Sequence, residues 1–179
     1  MTWTRSDPTL CARADHPLGI RLVRSELSWQ GRHNRTYWYV EQPCAGVYIV
    51  AVDHNGDVAL LEHYRAPFGE YFWEVPAGGV RPAEDLFECA RRELLEEIGA
   101  SVEEFQVLTA FAPSPGLTTT CATVLLGRGT RVVAARKETP EIRTVQFFSP
   151  AEAIDRVMQA PVSAGGSLLA LLLARQALG

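Results

Sequence analysis

The 179-residue chain is predicted to be an α+β protein, on three observations. Strand-like segments come first, one central helix interrupts them, more strands follow, and two helices close the chain. An Asn-Gly pair sits between two β-branched runs, the signal of a hairpin. The central helix is bracketed by glycines, with Gly78 and Gly79 before it and Gly99 after it.

The elements follow in order. Residues 1–19 read as irregular, broken by Pro8 and Pro17. Residues 20–29 and 35–41 read as strands separated by the turn-rich QGRHN. The run GVYIVAVD (46–53) is a strand, HNGD its turn, and VALLEHYR (58–65) the return strand. YFWEVPAG (71–78) reads as one further strand. The helix follows, with Pro82 suited to its first turn and Gly99 to the left-handed residue past its end. Strands are then expected in VEEFQVLTAFAPSPG, in TTTCATVLLGRGT and in 142–149. SPAEAIDRVMQA carries a Ser cap, Pro at the first helical position and Glu152 in the first turn, so it is a helix. SLLALLLARQAL (167–178) is the last one.

Composition sets bounds on function. The chain is 47% hydrophobic and 21% charged, with net charge −4. That is an ordinary globular composition, and an acidic chain with no basic run argues against a nucleic-acid surface. The run LLALLLA (168–174) is too short to span a bilayer, and MTWTRSDPT lacks the apolar core of a signal peptide. Cys11, Cys44, Cys89 and Cys121 are scattered with no CxxC pair, so reduced thiols and a cytoplasmic location are expected.

Glu93, Glu96 and Glu97 fall within one arc of the central helix, at i, i+3 and i+4. A neighbouring stripe of Phe87, Ala90, Leu94 and Ile98 reads as the core face. Like charges at that spacing repel by about 0.2–0.5 kcal/mol per pair. Either the glutamates form a solvated acidic face, or a hard divalent cation turns the repulsion into coordination.

The flanking spacing narrows this choice. Gly78, Glu84, Arg92-Glu93, Glu96-Glu97 and Gly99, with aliphatic Leu94 and small Ala100, occupy fixed positions over 23 residues. The segment 78–100 resembles the Nudix box, the signature of hydrolases acting on a nucleoside diphosphate linked to another group. Ala100 is smaller than the usual branched residue there. The resemblance spans residues from about 45 to 175. It implies an α/β/α sandwich with a mixed sheet and the box helix packed on it. Residues 45–179 would be the Nudix hydrolase domain, and 1–44 N-terminal strands that form a homodimer.

Two further stretches resemble the ADP-ribose pyrophosphatase subgroup. HYRAPFGEYFWEVPAGG (63–79) matches the strand and loop leading into the box, with His63 where a glutamine is usual. Pro115, in APSPG, lies 16 residues beyond Gly99, where a proline marks the subgroup. The resemblance implies Mg²⁺ as cofactor, with Mn²⁺ as a substitute, held by Glu93, Glu96, Glu97 and the Ala77 carbonyl. Glu96 and Glu97 thereby count as catalytic too. Gly78, Glu84, Arg92 and Gly99 are structural, Glu84 and Arg92 as a salt bridge bracing the loop before the helix. Arg65 is the candidate to hold a substrate phosphate through its planar fork, against a plain edge-strand role. Glu74 reads either as support or as a half-buried strand residue. Pro115, Gly116 and Trp38 complete the substrate-binding set. Trp38 is chosen from the early aromatics Trp29, Tyr37, Trp38 and Tyr39, which suit either base stacking or a core.

One position departs from the subgroup. Thr118, Thr119 and Thr120 stand where an acidic residue often follows Ser-Pro-Gly. The base is then sought in KETPEIR (137–143), with Glu138 preferred over Glu141. The expected reaction is hydrolysis of ADP-ribose to AMP and ribose 5-phosphate. The alternatives are another nucleoside diphosphate sugar or dinucleotide (GDP-mannose, NADH), or a non-enzymatic Nudix ligand sensor. The partner is a small nucleoside diphosphate, with no nucleic acid and no membrane.

Overall fold

The computed structural model describes residues 2–15, 19–42 and 45–179. Pro17 and Cys44 lie outside them. The chain forms two compact units, 1–45 with 112–121, and 46–111 with 122–179. The first unit thus takes in the Ser-Pro-Gly segment as well as the N-terminal strands.

The first unit is an antiparallel sheet of β1 (Trp3–Arg5), β2 (Thr9–Arg13), β3 (Arg21–Trp29) and β4 (Arg32–Glu41). β4 pairs along the whole of β3, while β1 and β2 pair with successive stretches of it. The expectation that 1–19 is irregular is therefore corrected. Pro8 lies between two short strands, where its missing N–H costs no ladder bond. The turn before β4 is also shorter than QGRHN. Gln30 and Gly31 alone take left-handed conformations, and pairing resumes at Arg32. Residues 117–119 dock on β4, with Val40 N–H donating to Leu117 and Thr119 N–H donating to Val40.

The second unit holds β5 (Gly46–Asp53), β6 (Val58–Arg65), β7 (Glu70–Glu74), β8 (Ala77–Gly79), α1 (Leu86–Ile98), β9 (Ala100–Ser101), β10 (Glu104–Phe111), β11 (Ala122–Val132), β12 (Ile142–Phe148), α2 (Pro150–Met158) and α3 (Gly165–Leu178). Its sheet is mixed, with β5 parallel to β11 and the other pairings antiparallel. Side-chain alternation assigns the two faces. Val47, Ile49, Ala51, Ala59, Leu61 and Leu125 pack with Ala90, Leu94 and Ile98 of α1. Val50, Val52, Val58, Leu60, Val124 and Leu126 pack with α2 and α3. The result is the expected sandwich, with one helix on one face and two on the other.

β5 and β6 pair only beside their turn, at Val52 and Val58. Beyond it they part, β6 pairing with β7 and β5 with β8. The single strand expected over 71–78 is therefore two, because Pro76 cannot donate to a ladder and the chain changes partner around it.

α1 starts later than Pro82 suggests. Asp85 caps it, accepting from Phe87 N–H at 2.7 Å and Glu88 N–H at 2.9 Å, and the Glu88 carboxylate accepts from Asp85 N–H. This reciprocal cap outweighs the proline preference. Phe87 is 37% exposed and stacks on Phe105 at the edge of the core, whereas Cys89 and Glu97 are buried. Gly99 ends the helix at φ 66°. A Cβ there would lie 2.2 Å from the Ala134 carbonyl oxygen. Gly99→Ala should therefore cost about 2–4 kcal/mol, from left-handed strain plus overlap. A clear drop in the thermal unfolding midpoint would show this; an unchanged midpoint would refute it.

Candidate active site

The loop from β8 to α1 is held by one guanidinium. Arg92 Nε donates to Glu84 Oε1 at 2.7 Å and Nη2 to Glu84 Oε2 at 2.9 Å, a bidentate pair. Nη2 also donates to the Gly79 carbonyl at 3.1 Å, and Nη1 to Glu93 Oε1 at 2.6 Å. Arg81 N–H adds a bond to Glu84 at 2.9 Å. The Arg92 bonds, chief among these contacts, hold the Glu84 carboxyl down at about 2. Gly78 is needed for packing: a Cβ on it would lie 1.9 Å from Glu93 Oε1. The loop backbone and the helix carboxylate share that space.

Glu97 is 8% exposed, and its Oε2 accepts from Ala77 N–H at 3.0 Å. Burial is the main reason its pKa rises to about 8, aided by the charge of Glu93. Burial likewise raises Glu93, against the pull of Arg92. Glu96 is more open and faces Arg81 at 3.7 Å and Arg92 at 3.9 Å. The three glutamates line one cavity of ≈ 140 Å³ with His63, Lys137, Thr139 and Glu141. Burial, then the Arg65 charge, lowers the pKa of His63 from the usual histidine value, which favours its neutral ring.

The late loop reaches this cavity through the end of α1. Val133 and Ala134 N–H donate to the Gly99 carbonyl, and Lys137 N–H donates to the Glu96 carbonyl at 3.0 Å. The carbonyls of Glu96 and Gly99, at the end of the helix, thereby gain partners outside it. Of the two loop glutamates, Glu141 lines the cavity, while Glu138 is exposed and not among the lining residues.

Arg65 and Glu74 form a bidentate pair: Nε donates to Oε1 at 2.9 Å and Nη2 donates to Oε2. Glu74 is buried. The guanidinium expected to hold a phosphate thus has half its fork engaged. Pro115 and Gly116 lie in the first unit. They line a cavity of ≈ 260 Å³ with Arg5, Tyr37, Tyr39, Thr118 and Thr119. The Tyr37 hydroxyl donates to the Gly116 carbonyl. Trp38 is 52% exposed and is not among these lining residues. Alternation along β4 turns Tyr37 and Tyr39 one way and Trp38 the other. That alternation was the available signal for separating Trp38 from Tyr37 and Tyr39.

The donor set suits a hard divalent cation, since three carboxylates meet one cavity and burial raises two of them. They are not gathered into a cage. Among the described residues no three His, Cys, Asp or Glu side chains converge to hold a metal. Glu93 is turned to Arg92 and Glu97 to Ala77 N–H.

A fold with a carboxylate-rich helix over a forked mixed sheet, its loop braced by an Arg–Glu pair, defines a class, and the comparisons name it. The NUDIX domain family model matches residues 41–166, and the chain belongs to that family. It is 35% identical over 120 residues to an ADP-ribose pyrophosphatase of Mycobacterium tuberculosis, covering 65% of this chain and 58% of that protein. It is 31% identical over 109 residues to an ADP-ribose pyrophosphatase of Bacillus subtilis, covering 61% and 58%. The chain thus spans less than two thirds of the length of these curated relatives. A solved structure described as an ADP compounds hydrolase superposes with TM-score 0.85 at 19% identity, covering 99% of this chain and 95% of that one. Nudix hydrolases in general use divalent metal ions. No helix among the described residues is long and apolar enough to cross a membrane.

Burial of Glu97 has a consequence for stability. Its pKa is raised from 4.5 to about 8 on folding, so the folded state binds more protons than the unfolded state across that window. Stability of the metal-free protein should fall as pH rises from 5 to 8. Glu97→Gln should flatten that fall, and a divalent cation should offset it in the wild type. Thermal unfolding in EDTA across this pH range measures it; equal slopes for wild type and variant would refute it.

Proposed function

We propose that the chain hydrolyses the diphosphate bond of ADP-ribose to AMP and ribose 5-phosphate, with Mg²⁺ as cofactor and Mn²⁺ as a substitute. The observation that carries this reading is the single cavity lined by Glu93, Glu96 and Glu97, with Glu97 desolvated. The choice of substrate is supported by the two relatives described as ADP-ribose pyrophosphatases. Thr118 and Thr119 beside Pro115 and Gly116, in place of a carboxylate, favour as second reading another nucleoside diphosphate sugar.

Glu93, Glu96, Glu97 and the Ala77 carbonyl would hold the metal. When bound, Mg²⁺ neutralises charge on the diphosphate oxygens and acidifies water. Glu97 holds the Pro76–Ala77 peptide through the Ala77 N–H, which tethers the start of β8 to the helix. Arg92, locked to Glu84, keeps Glu93 and the loop in register. Glu141 is the base in this reading, taking over from Glu138, because it faces the cavity where water must lose a proton. Arg65 keeps a substrate-binding role through its free terminal nitrogen.

A homodimer built through the N-terminal unit is part of the proposal. β1 and β2 are exposed throughout, and Trp3, Leu10 and Trp38 are each more than half exposed. The unpaired Cys11, Cys89 and Cys121 support a cytoplasmic setting.

Product chromatography with ADP-ribose, GDP-mannose and NADH, with Mg²⁺ and with EDTA, tests the reading. Metal-dependent AMP and ribose 5-phosphate should form fastest from ADP-ribose; a faster sugar nucleotide would replace the substrate, and no cleavage would refute hydrolysis. Glu97→Gln should lower kcat by about 10³-fold or more while leaving the fold intact. Glu141→Gln should lower it by about 10²-fold, the usual scale of general-base catalysis, and Glu138→Gln by less than about twofold. The reverse order of the last two would return the base to Glu138.

A further inference from the structure

Lys137 is the chain's only lysine, among 17 lysine and arginine residues. It lines the cavity of Glu93, Glu96 and Glu97, and no arginine is among the lining residues. Several arginines around the box already have carboxylates. Arg92 is paired with Glu84 and Glu93, Arg65 with Glu74, and Arg81 with Glu96. The Lys137 ammonium, by contrast, has no hydrogen bond or ion pair among the described residues.

The backbone fixes where this charge stands. Lys137 N–H donates to the Glu96 carbonyl at 3.0 Å, tying the loop to the end of α1. Tyr64 N–H donates to the Glu141 carbonyl at 2.7 Å, tying the loop to β6. Arg136 Nη2 donates to the Ile142 carbonyl at 3.1 Å and closes the loop on itself. Between the anchors Thr139 precedes Pro140, which biases its backbone to extended conformations. The main chain thus holds Lys137 at the cavity, while the residue itself is exposed.

Charge gives the ammonium a task. Glu141 joins the three box glutamates on the cavity wall, so four carboxylates face one lysine. A single divalent cation leaves such a cavity negative, and a diphosphate diester adds further negative charge. An ammonium beside the metal lowers that repulsion and donates to an oxygen the metal leaves open. Lysine suits this place because its compact charge carries three rotatable donors on a flexible stem. The same charge, with no substrate present, repels an incoming metal.

We propose that Lys137 binds a non-bridging oxygen of the diphosphate, sharing that group with the metal held by the helix glutamates. This rests on the hydrolase reading above and adds to it a substrate-binding residue on the late loop. One segment then supplies both Glu141, which takes a proton from water, and Lys137, which holds the phosphate.

Two opposite effects test it. Lys137→Met keeps the backbone bond to Glu96, since any residue but proline supplies that N–H. With Mg²⁺ saturating, it should raise KM for ADP-ribose by about tenfold or more, the scale of one hydrogen bond to a charged group, with kcat within about threefold. Lys137→Arg, which keeps the charge, should stay within about threefold of wild type in both. With no substrate, Lys137→Met should bind Mn²⁺ about two- to fivefold more tightly in calorimetry, because a like charge has gone. An unchanged KM, or weaker binding of Mn²⁺ and substrate together as a disrupted loop would give, overturns the proposal while leaving hydrolysis intact. A second readout needs no turnover. Lys137 is the only side-chain amine, so acetylation by an N-hydroxysuccinimide ester, read by peptide mass spectrometry against the N-terminal amine, reports on it alone. ADP-ribose with a methylene group in place of the bridging diphosphate oxygen is not cleaved there. With Mg²⁺ this analogue should slow Lys137 acetylation several-fold, and Mg²⁺ alone should not; no protection overturns the proposal. If the wild type cleaves no ADP-ribose, the hydrolase reading has failed, and calorimetry with the analogue and Mg²⁺ decides. Binding about tenfold weaker to Lys137→Met supports the lysine contact, and equal or absent binding overturns it.

Discussion

Arg92 carries the constraint on which the rest of the site depends. A single planar guanidinium spends two donors on Glu84, one on the Gly79 carbonyl and one on Glu93. The loop before α1 has no strand ladder of its own beyond β8, so this fork takes the place of one. Charge-assisted bidentate bonds are among the strongest a side chain makes, and partial burial reduces their screening by water. Lysine, a point charge with three donors, could not span the same four acceptors. Gly78 follows from the same constraint, because Glu93 can reach Arg92 only across space that a side chain on the loop would occupy.

The carboxylates around this brace are held in tension. Glu97 lies on the buried side of a helix whose other buried residues are apolar, with one backbone N–H as partner. A buried carboxylate with one hydrogen bond is less stable ionised than in water. Functional sites are where folds keep such groups, since the opposing ligand relieves the penalty on binding. The fork between β5 and β6 makes the tension possible. Paired along their length, the strands would leave no place for β8, which lies on β5 and meets the helix through Ala77 and Glu97. Pro76, by refusing a ladder bond, marks where the chain switches from one branch to the other.

Arg65 shows how one residue type supports two chemistries. Free, an arginine beside a carboxylate-rich helix is an anion receptor. Locked to Glu74, it becomes half of a neutral polar pair, with one terminal nitrogen left to donate. Aromatic rings and a glycine-lined helix start complete that surroundings.

Much of this was legible in the residues. The bounds of β5 and β6 follow from β-branched runs about an Asn-Gly turn, and Gly99 follows from the rule that helix ends take left-handed residues. Glu84, Arg92 and the three box glutamates are local too, since helical spacing fixes which of them share a face. Missed elements lost to competition between neighbours: Asp85 with Glu88 outcapped Pro82, and exposed β1 and β2 exist only because β3 offers an edge. Which late-loop glutamate lines the carboxylate cavity depends on contacts between segments far apart in the chain, and the Glu74 partner of Arg65 on the pairing of β6 with β7. Sequence by itself determined the helix, its charges and its family, because those obey periods of a few residues. Only the tertiary structure decided which charges are buried, which are paired and which cavity each one faces, because desolvation and pairing depend on what the whole fold brings within a few ångströms.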